Sequence, residues 1–137
     1  NGDGLNDLLL GTFDGYIAKL LNAGHGSFAS AGFIELNEMT RTLYETRGVE
    51  ESRRAFVQYP ANTFPGQTKA LEDNTHFNPY GAYQIAKCIL QGIKDKKLGL
   101  ARYIKDFEGY DPAHPDDVNT FVWDLSPFTE IEKPDGN

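Results

Sequence analysis

The sequence has only one cysteine, Cys88, so no disulfide can form within its 137 residues. Small secreted scaffolds depend on such bridges, so the single cysteine argues against this class, although it does not exclude export as such. No Asn-x-Ser/Thr glycosylation site and no signal-peptide pattern is present. The single methionine is Met39 and the first residue is Asn1. We therefore expect residue 1 to be either a processed end or a truncation.

Long apolar runs and basic clusters are also missing. Leu8-Leu9-Leu10 is far shorter than the roughly 20 apolar residues that a transmembrane helix needs, so we expect no membrane partner. The net charge is -7, and the densest basic group is Lys94, Lys96 and Lys97. Without a basic stripe, nucleic acid is not an expected partner. A composition of 39% hydrophobic and 24% charged residues is typical of one soluble, globular domain.

The first half of the chain mixes helical and strand-like patterns. Hydrophobic spacing predicts a helix over 13–21, a short apolar segment predicts a buried strand over 32–36, and Asn37 is a suitable cap for a second helix. Gly48 should stop that helix near residue 47. We expect a loop over 1–12, a turn at 22–27 and a short helical turn within 49–55.

The second half is expected to hold a long loop, a strong helix and a tail. Residues 59–73 have little periodicity, and long loops in compact domains tend to be functional. Asn78 and Pro79 are the cap and first residue of the best helix signal. The expected apolar stripe of that helix is Tyr83, Ala86, Ile89, Leu90 and Ile93. A further short helix is expected over 98–104 and an irregular C-terminal tail over 106–137. With one clear strand, the pattern indicates part of an α/β domain.

The pattern Asp-x-x-His occurs at Asp73 and His76, just before the capped helix. In a turn, this spacing lets the carboxylate reach one ring nitrogen of its own histidine and leaves the other free to act as a base. The same pattern recurs at Asp111 and His114, among tail prolines. Spacing alone does not separate the two pairs, and a turn-capping Asp73 beside a surface His76 is the plain structural alternative.

Three short blocks carry a resemblance to a known family. They are Phe64-Pro65-Gly66-Gln67, Asp73-Asn74-Thr75-His76-Phe77-Asn78-Pro79-Tyr80-Gly81-Ala82 and Ile85-Ala86-Lys87. Together they resemble the last conserved block of the SGNH/GDSL hydrolases, and most closely the rhamnogalacturonan acetylesterase branch. The segment over 33–45 and the terminal Lys133-Pro134-Asp135-Gly136-Asn137 are also similar to that branch. The likeness covers roughly 30–137 and is densest over 59–93.

This resemblance implies that residues 1–137 are the C-terminal part of one three-layer α/β/α, flavodoxin-like SGNH-hydrolase domain. It implies a carbohydrate esterase that hydrolyses O-acetyl esters on a pectic polysaccharide of the rhamnogalacturonan type. Within the family's Ser-His-Asp catalytic triad, the roles carried over are general base for His76 and orienting acid for Asp73. No metal or organic cofactor is implied. The expected partner is an acetylated polysaccharide or oligosaccharide, and the expected location is secreted or periplasmic.

The chain departs from the family pattern at the nucleophile. The family's serine lies in an upstream Gly-Asp-Ser block, whereas Asn1-Gly2-Asp3-Gly4-Leu5 has glycine at that position. Ser27, which follows Gly26, is better explained as part of a loop. We therefore expect the nucleophile and oxyanion hole to be absent from this chain, which alone would be inactive. The alternative is a non-catalytic, truncated or degenerate carbohydrate-binding remnant. If central strands are missing, the strand over 32–36 would have no sheet partners within the chain, and its exposed edge would lead to poor solubility or self-association.

The tail aromatics, the acidic tail segment and Cys88 are lesser candidates for functional residues. Tail aromatics Phe121, Trp123 and Phe128 are expected to pin the tail to the core, and a sugar-stacking face is the alternative. The acidic tail segment is expected to be solvated, although oxygen-rich clusters also suit calcium. Its candidate ligands are Asp111, His114, Asp116 and Asp117. Cys88 is expected to be a buried packing residue.

Overall fold

The structure is a computed structural model that describes residues 8–11, 17–24, 27–125, 127 and 130–134, with side chains from residue 34 onward. These described residues form five strands and two α-helices in a mixed order, so the α/β class expected from the sequence is confirmed. The strands are β1 (Leu8–Gly11), β2 (Ile17–Gly24), β3 (Ser27–Ile34), β4 (Phe56–Tyr59) and β5 (Leu71–Phe77). The helices are α1 (Leu36–Arg53) and α2 (Pro79–Asp95), and Gly99–Tyr103 form a short 3-10 helix.

The N-terminal strands form an antiparallel sheet in the order β1-β2-β3. The helix predicted over 13–21 is wrong where it is described, because residues 17–21 belong to β2. A short apolar run fits the hydrophobic spacing of a helix and that of a strand equally well. Here the segment forms a strand because it pairs with β1 on one side and with β3 on the other. Residues 8–11, expected in a loop, form β1, and residues 13–16 lie outside the described part.

The strand predicted over 32–36 is confirmed up to Ile34, where β3 ends, whereas Leu36 already begins α1. The expectation that this strand lacks partners within the chain is wrong. Phe33 pairs with Ala18 and Ile34 pairs with Ile17 in β2. The side chain of Ile34 is 2% exposed and packs against Gly92 of α2, where an added Cβ would lie 2.3 Å from Ile34 Cγ2.

Helix α1 is interrupted at the glycine that the sequence singled out. Gly48 has φ 73° and ψ 174°, which divides α1 into two helical segments. The predicted stop near residue 47 and the short helical turn after it are therefore confirmed. The prediction that Asn37 caps this helix is wrong. The helix begins at Leu36, and the N-cap residue is Glu35, whose side chain makes no capping hydrogen bond.

The long loop predicted over 59–73 is confirmed for residues 60–70, whereas its two ends belong to an antiparallel pair of strands. β4 pairs with β5 through Tyr59 with Leu71 and Gln58 with Glu72. The loop between them is organised by Gln67, which is 3% exposed. Its amide accepts from the backbone N–H of Thr63 and Phe64 and donates to two loop carbonyls. Hydrogen bonds from one buried glutamine side chain therefore satisfy backbone groups of this irregular loop.

Helix α2 starts as predicted. Asn78 Oδ1 accepts a hydrogen bond from the Gly81 N–H at 2.9 Å, and Pro79 is the first helical residue. The buried face differs from the predicted stripe, because it consists of Tyr80, Gly81, Gln84, Cys88 and Gly92. In the predicted stripe, Tyr83 and Ala86 are exposed, and the other three members are half-buried. Small and polar residues let α1, β3 and the tail approach this face closely.

The C-terminal tail is irregular after the 3-10 helix, as expected, in all its described residues. Buried Gln84 holds it to α2, donating to Asp116 Oδ2 at 2.9 Å and accepting from the Tyr110 hydroxyl at 2.8 Å. Lys87 Nζ lies 2.8 Å from both carboxylate oxygens of Asp116. In the described part, neither helix is both long and apolar enough to cross a membrane.

Candidate active site

Residues 73–76 form a four-residue bulge in the β4–β5 pair. Gln58 pairs with Glu72 and Phe56 pairs with Phe77, so these four residues stand opposite Val57 alone. Bulges of this kind re-aim side chains and are frequent beside active sites. The bulge replaces the loop-to-helix turn that the sequence predicted, and it brings Asp73 and His76 together.

The Asp73 carboxylate is buried and fully engaged, with its side chain 2% exposed. Oδ2 lies 2.7 Å from His76 Nδ1. Oδ1 accepts from the Thr75 N–H at 2.6 Å, the Thr75 hydroxyl at 2.6 Å and the His76 N–H at 2.9 Å. Both oxygens are thus fixed by groups within the bulge itself.

These hydrogen bonds hold the carboxylate in its charged form. The bond from the Thr75 hydroxyl, followed by that from the His76 ring and the two backbone N–H groups, holds the pKa of Asp73 well below its usual range. Each bond stabilises the carboxylate more than the neutral acid. Asp73 is therefore an anionic acceptor that selects the His76 tautomer with a proton on Nδ1.

The His76 ring is oriented but open to solvent on its far side. Its side chain is 62% exposed, and within the described residues no side chain or backbone group bonds to Nε2. With Nδ1 donating to Asp73, Nε2 carries the lone pair. A ring held in this way can accept a proton from a hydroxyl group within hydrogen-bond distance of Nε2.

Flanking residues hold the two ends of the bulge. From β4, the Gln58 side-chain amide donates to the Asp73 carbonyl at 3.2 Å and to Asn74 Oδ1 at 2.7 Å. Asn78 Nδ2 donates to the Arg54 and Phe56 carbonyls at 2.7 and 2.9 Å, besides capping α2. Sequence reasoning found Asn78 but missed Gln58, because nothing in the local pattern marks a cross-strand partner.

The second Asp-x-x-His pair has the same internal geometry. Asp111 Oδ2 lies 2.7 Å from His114 Nδ1, equal to the distance in the first pair. The surroundings differ, because the side chains of Asp111 and His114 are 60% and 84% exposed. Besides the ring, the Asp111 carboxylate accepts only the Ala113 N–H within the described residues. Burial of the acid, rather than distance, separates the two pairs.

Of the four serines in the sequence, only Ser52 has a described side chain. Its hydroxyl donates within α1, with the Gly48 carbonyl at 2.6 Å and the Tyr44 carbonyl at 3.0 Å. It is therefore committed to helix carbonyls and is not bonded to His76. Ser27 and Ser30 lie on β3, and their side chains, like all of Ser126, are outside the described part.

The described residues contain no group of three or more His, Cys, Asp or Glu side chains placed to hold a metal ion. The tail acids considered as calcium ligands instead bond elsewhere. Asp111 bonds to His114, Asp116 to Lys87, and Asp117 to Asn119.

The chain is similar in sequence to a named bacterial enzyme. It is 41% identical over 76 residues to the rhamnogalacturonan acetylesterase RhgT of Bacillus subtilis (strain 168). The match covers 56% of this chain and 33% of RhgT, so it spans about one third of that relative's length. No protein-family model matches the chain. No solved structure gives a significant match. The resemblance to the C-terminal portion of rhamnogalacturonan acetylesterases is confirmed.

Proposed function

We propose that this chain, which resembles the C-terminal portion of rhamnogalacturonan acetylesterases, supplies the acid and the base of a carbohydrate O-acetyl esterase. The observation that carries the proposal is the buried, fully hydrogen-bonded Asp73 carboxylate 2.7 Å from Nδ1 of a His76 ring whose other nitrogen faces solvent. The similarity to RhgT supports the same interpretation. His76 is the proposed general base and Asp73 the orienting acid.

In the proposed reaction, a serine hydroxyl attacks the carbonyl carbon of a sugar-bound acetyl group. His76 Nε2 takes the hydroxyl proton, and Asp73 stabilises the resulting imidazolium. When the tetrahedral intermediate collapses, His76 gives that proton to the departing sugar oxygen. Water, deprotonated by the same ring, then attacks the acetyl carbonyl carbon. The bond to the serine oxygen breaks, His76 returns the proton to that oxygen, and acetate leaves. In this proposal, the serine and the oxyanion donors come from outside the described side chains.

The proposed substrate is an O-acetyl ester on a pectic polysaccharide, since RhgT is named for acetylated rhamnogalacturonan as its substrate class. A polymer of this kind lies outside the cell, so we infer a secreted or periplasmic location. The chemistry needs no metal or organic cofactor. Neither nucleic acid nor a membrane takes part.

A chimera tests the assignment directly. The C-terminal part of RhgT, beginning at the 76-residue segment that matches this chain, is replaced by the corresponding part of this chain. Acetate release from acetylated rhamnogalacturonan is then measured. We expect His76→Ala to lower kcat by roughly 10⁴- to 10⁶-fold, as loss of a triad base does. His114→Ala in the same chimera is the matched control and should leave the rate unchanged. Full activity in the His76→Ala chimera would overturn the assignment.

A non-catalytic remnant is the second candidate, favoured by the commitment of Ser52 to helix carbonyls. It predicts no acetate release by the isolated 137-residue chain at any protein concentration. It also predicts that a chimera containing the wild-type segment, folded as judged by circular dichroism, stays inactive. Turnover by the chimera that depends on His76 would exclude it.

A further inference from the structure

An open groove lies between α2 and the C-terminal tail, and none of its lining residues belongs to the bulge at 73–76. Its volume is about 680 Å³, within the roughly 300–1,000 Å³ typical of small-molecule sites. Its walls combine exposed aromatic rings with carboxylates. The lining residues that matter here are Tyr83, Lys87, Asp117, Phe121, Trp123 and Asp124.

The rings of Tyr83, Phe121 and Trp123 form one connected aromatic surface. Phe121 anchors it, with its ring centroid 5.3 Å from that of Tyr80 and 5.4 Å from that of Tyr83. Trp123 extends it outward, nearly parallel to Phe121 at an interplanar angle of 21° and a centroid distance of 6.4 Å. Trp123 and Tyr83 are 53% and 40% exposed. Phe121 therefore pins the tail to α2 and leaves one face of Trp123 open, while Phe128 lies outside the described residues.

The cation position over the Tyr83 ring of this groove is already filled by the chain. Lys87 Nζ lies 5.3 Å from the Tyr83 ring centroid and 5.1 Å from that of Tyr110. It also neutralises Asp116 through both carboxylate oxygens. An ammonium ligand over Tyr83 would have to displace this internal ammonium from its ring and its counter-ion. The Tyr83 side of the groove is therefore poorly suited to a cationic ligand, which leaves the Trp123 ring as the open aromatic surface.

Anionic ligands are disfavoured by the remaining acids. Within the described part of the chain, neither Asp117 nor Asp124 forms an ion pair with a cationic side chain. Ionised carboxylates only accept hydrogen bonds, so they suit hydroxyl donors and repel another carboxylate. The ligand that suits both the carboxylates and the aromatic rings is uncharged and carries many hydroxyl groups. It also has a flat face of C–H groups that can stack on the electron-rich faces of the rings.

We propose that the Tyr83–Phe121–Trp123 groove binds a neutral oligosaccharide, with a sugar ring stacked on Trp123 and its hydroxyls donating to Asp117 and Asp124. The site selects neutral sugars over uronates through those two carboxylates. None of its residues belongs to the Asp73–His76 bulge, so this binding holds or fails independently of the proposed esterase activity.

Trp123 is the only tryptophan in the chain, so its fluorescence reports on the groove alone. The intact 137-residue chain is titrated with a linear galacto-oligosaccharide of about four sugars, with oligogalacturonate of the same length, and with choline. We expect a saturable fluorescence change with the neutral sugar and at least about tenfold weaker binding of the uronate. No saturable signal with the neutral sugar, or tighter binding of choline or the uronate, would overturn the proposal.

Variants separate stacking from charge, with calorimetry as the readout. Trp123→Ala should weaken binding of the neutral sugar by about tenfold or more, and Trp123→Phe by less. Asp117→Asn with Asp124→Asn should bring the uronate to within roughly threefold of the neutral sugar at low salt. Tyr103→Ala is the control, because Tyr103 is 65% exposed on the 3-10 helix. Equal losses in Tyr103→Ala and Trp123→Ala would show non-specific binding and refute the site.

Discussion

Oδ2 of Asp73 lies 2.7 Å from Nδ1 of His76, and the Asp73 side chain is 2% exposed. The exposed Asp111–His114 pair reproduces the distance without the burial. Water competes for an exposed carboxylate, whereas the Thr75 hydroxyl and two backbone N–H groups fix the buried one. Comparing the buried Asp73–His76 pair with the exposed Asp111–His114 pair therefore shows the effect of burial at the same distance between acid and ring.

The first prediction concerns the tautomer of His76. Asp73→Asn replaces the carboxylate with an amide that no longer demands a proton on Nδ1, so we expect the Nδ1–H population of His76 to fall. The change is measured from long-range ¹H–¹⁵N correlation spectra of the imidazole rings at neutral pH. Asp111→Asn is the matched control and should change the His114 ring little, because that ring is largely solvated. An unchanged His76 tautomer in Asp73→Asn would contradict the orienting role.

The second prediction concerns stability in acid. Hydrogen bonds in the folded state lower the pKa of Asp73 below its ordinary value of 3.8. The stabilisation is therefore fully present above that pH and is lost as the pH falls through the folded-state pKa. Urea denaturation between about pH 7 and pH 2 should show a steeper loss in the wild type than in Asp73→Asn. Parallel curves for the two proteins would show that Asp73 titrates alike in the folded and unfolded states.

The third prediction concerns the contact between α2 and the start of β4. A Cβ at Gly81 would lie 2.0 Å from the Ala55 carbonyl oxygen, whereas one at Gly99 would meet nothing within 4 Å. Gly81→Ala must push the helix away from the backbone and should cost about 1–3 kcal/mol of unfolding free energy. Gly99→Ala should change it by less than about 0.5 kcal/mol. Chemical denaturation of both variants gives the comparison, and equal effects would rule out the close approach.

The fourth prediction concerns the attachment of the tail. Gln84 is fully buried, and its amide bonds to both Tyr110 and Asp116. Gln84→Leu leaves those partners unsatisfied and should cost about 1–3 kcal/mol of unfolding free energy. The Asp116 N–H, which donates to Gln84 Oε1, should then exchange faster with deuterium. Asn119→Ala removes an exposed bond from Arg54 and serves as control. Similar exchange of the Asp116 N–H in both variants would contradict the claim.

Local sequence signals predicted the parts of the fold that depend on neighbours in the chain. The Asn78 cap, the break at Gly48 and the Asp73–His76 contact each depend on residues close together in sequence. The parts that failed depend on distant pairing. Residues 17–21 form a strand because they pair with β1 and β3. The hydrophobic spacing within the segment itself gives no sign of these distant partners.

The same limit explains the surroundings of the site. Gln58 reaches Asp73 across the strand pair, and Gln84 is buried because the tail covers it. Both are polar residues without a motif, so the sequence offered no signal for either. The three-layer α/β/α arrangement stays a prediction. Every described strand pair is antiparallel, and the two described sheets have three strands and two strands.

The fifth prediction is self-association of the isolated chain. The strand predicted over 32–36 is not unpaired, since β3 pairs with β2, but β3 is still an edge of its sheet within the described residues. Unpaired backbone groups on an edge favour strand addition from a second copy, and a charged side chain there opposes it. Sedimentation velocity at rising concentration should show association that Ala29→Lys on β3 reduces. Val49→Lys, on the 72% exposed site in α1, should not reduce it. A monodisperse monomer at all concentrations would show that the edge is protected in solution.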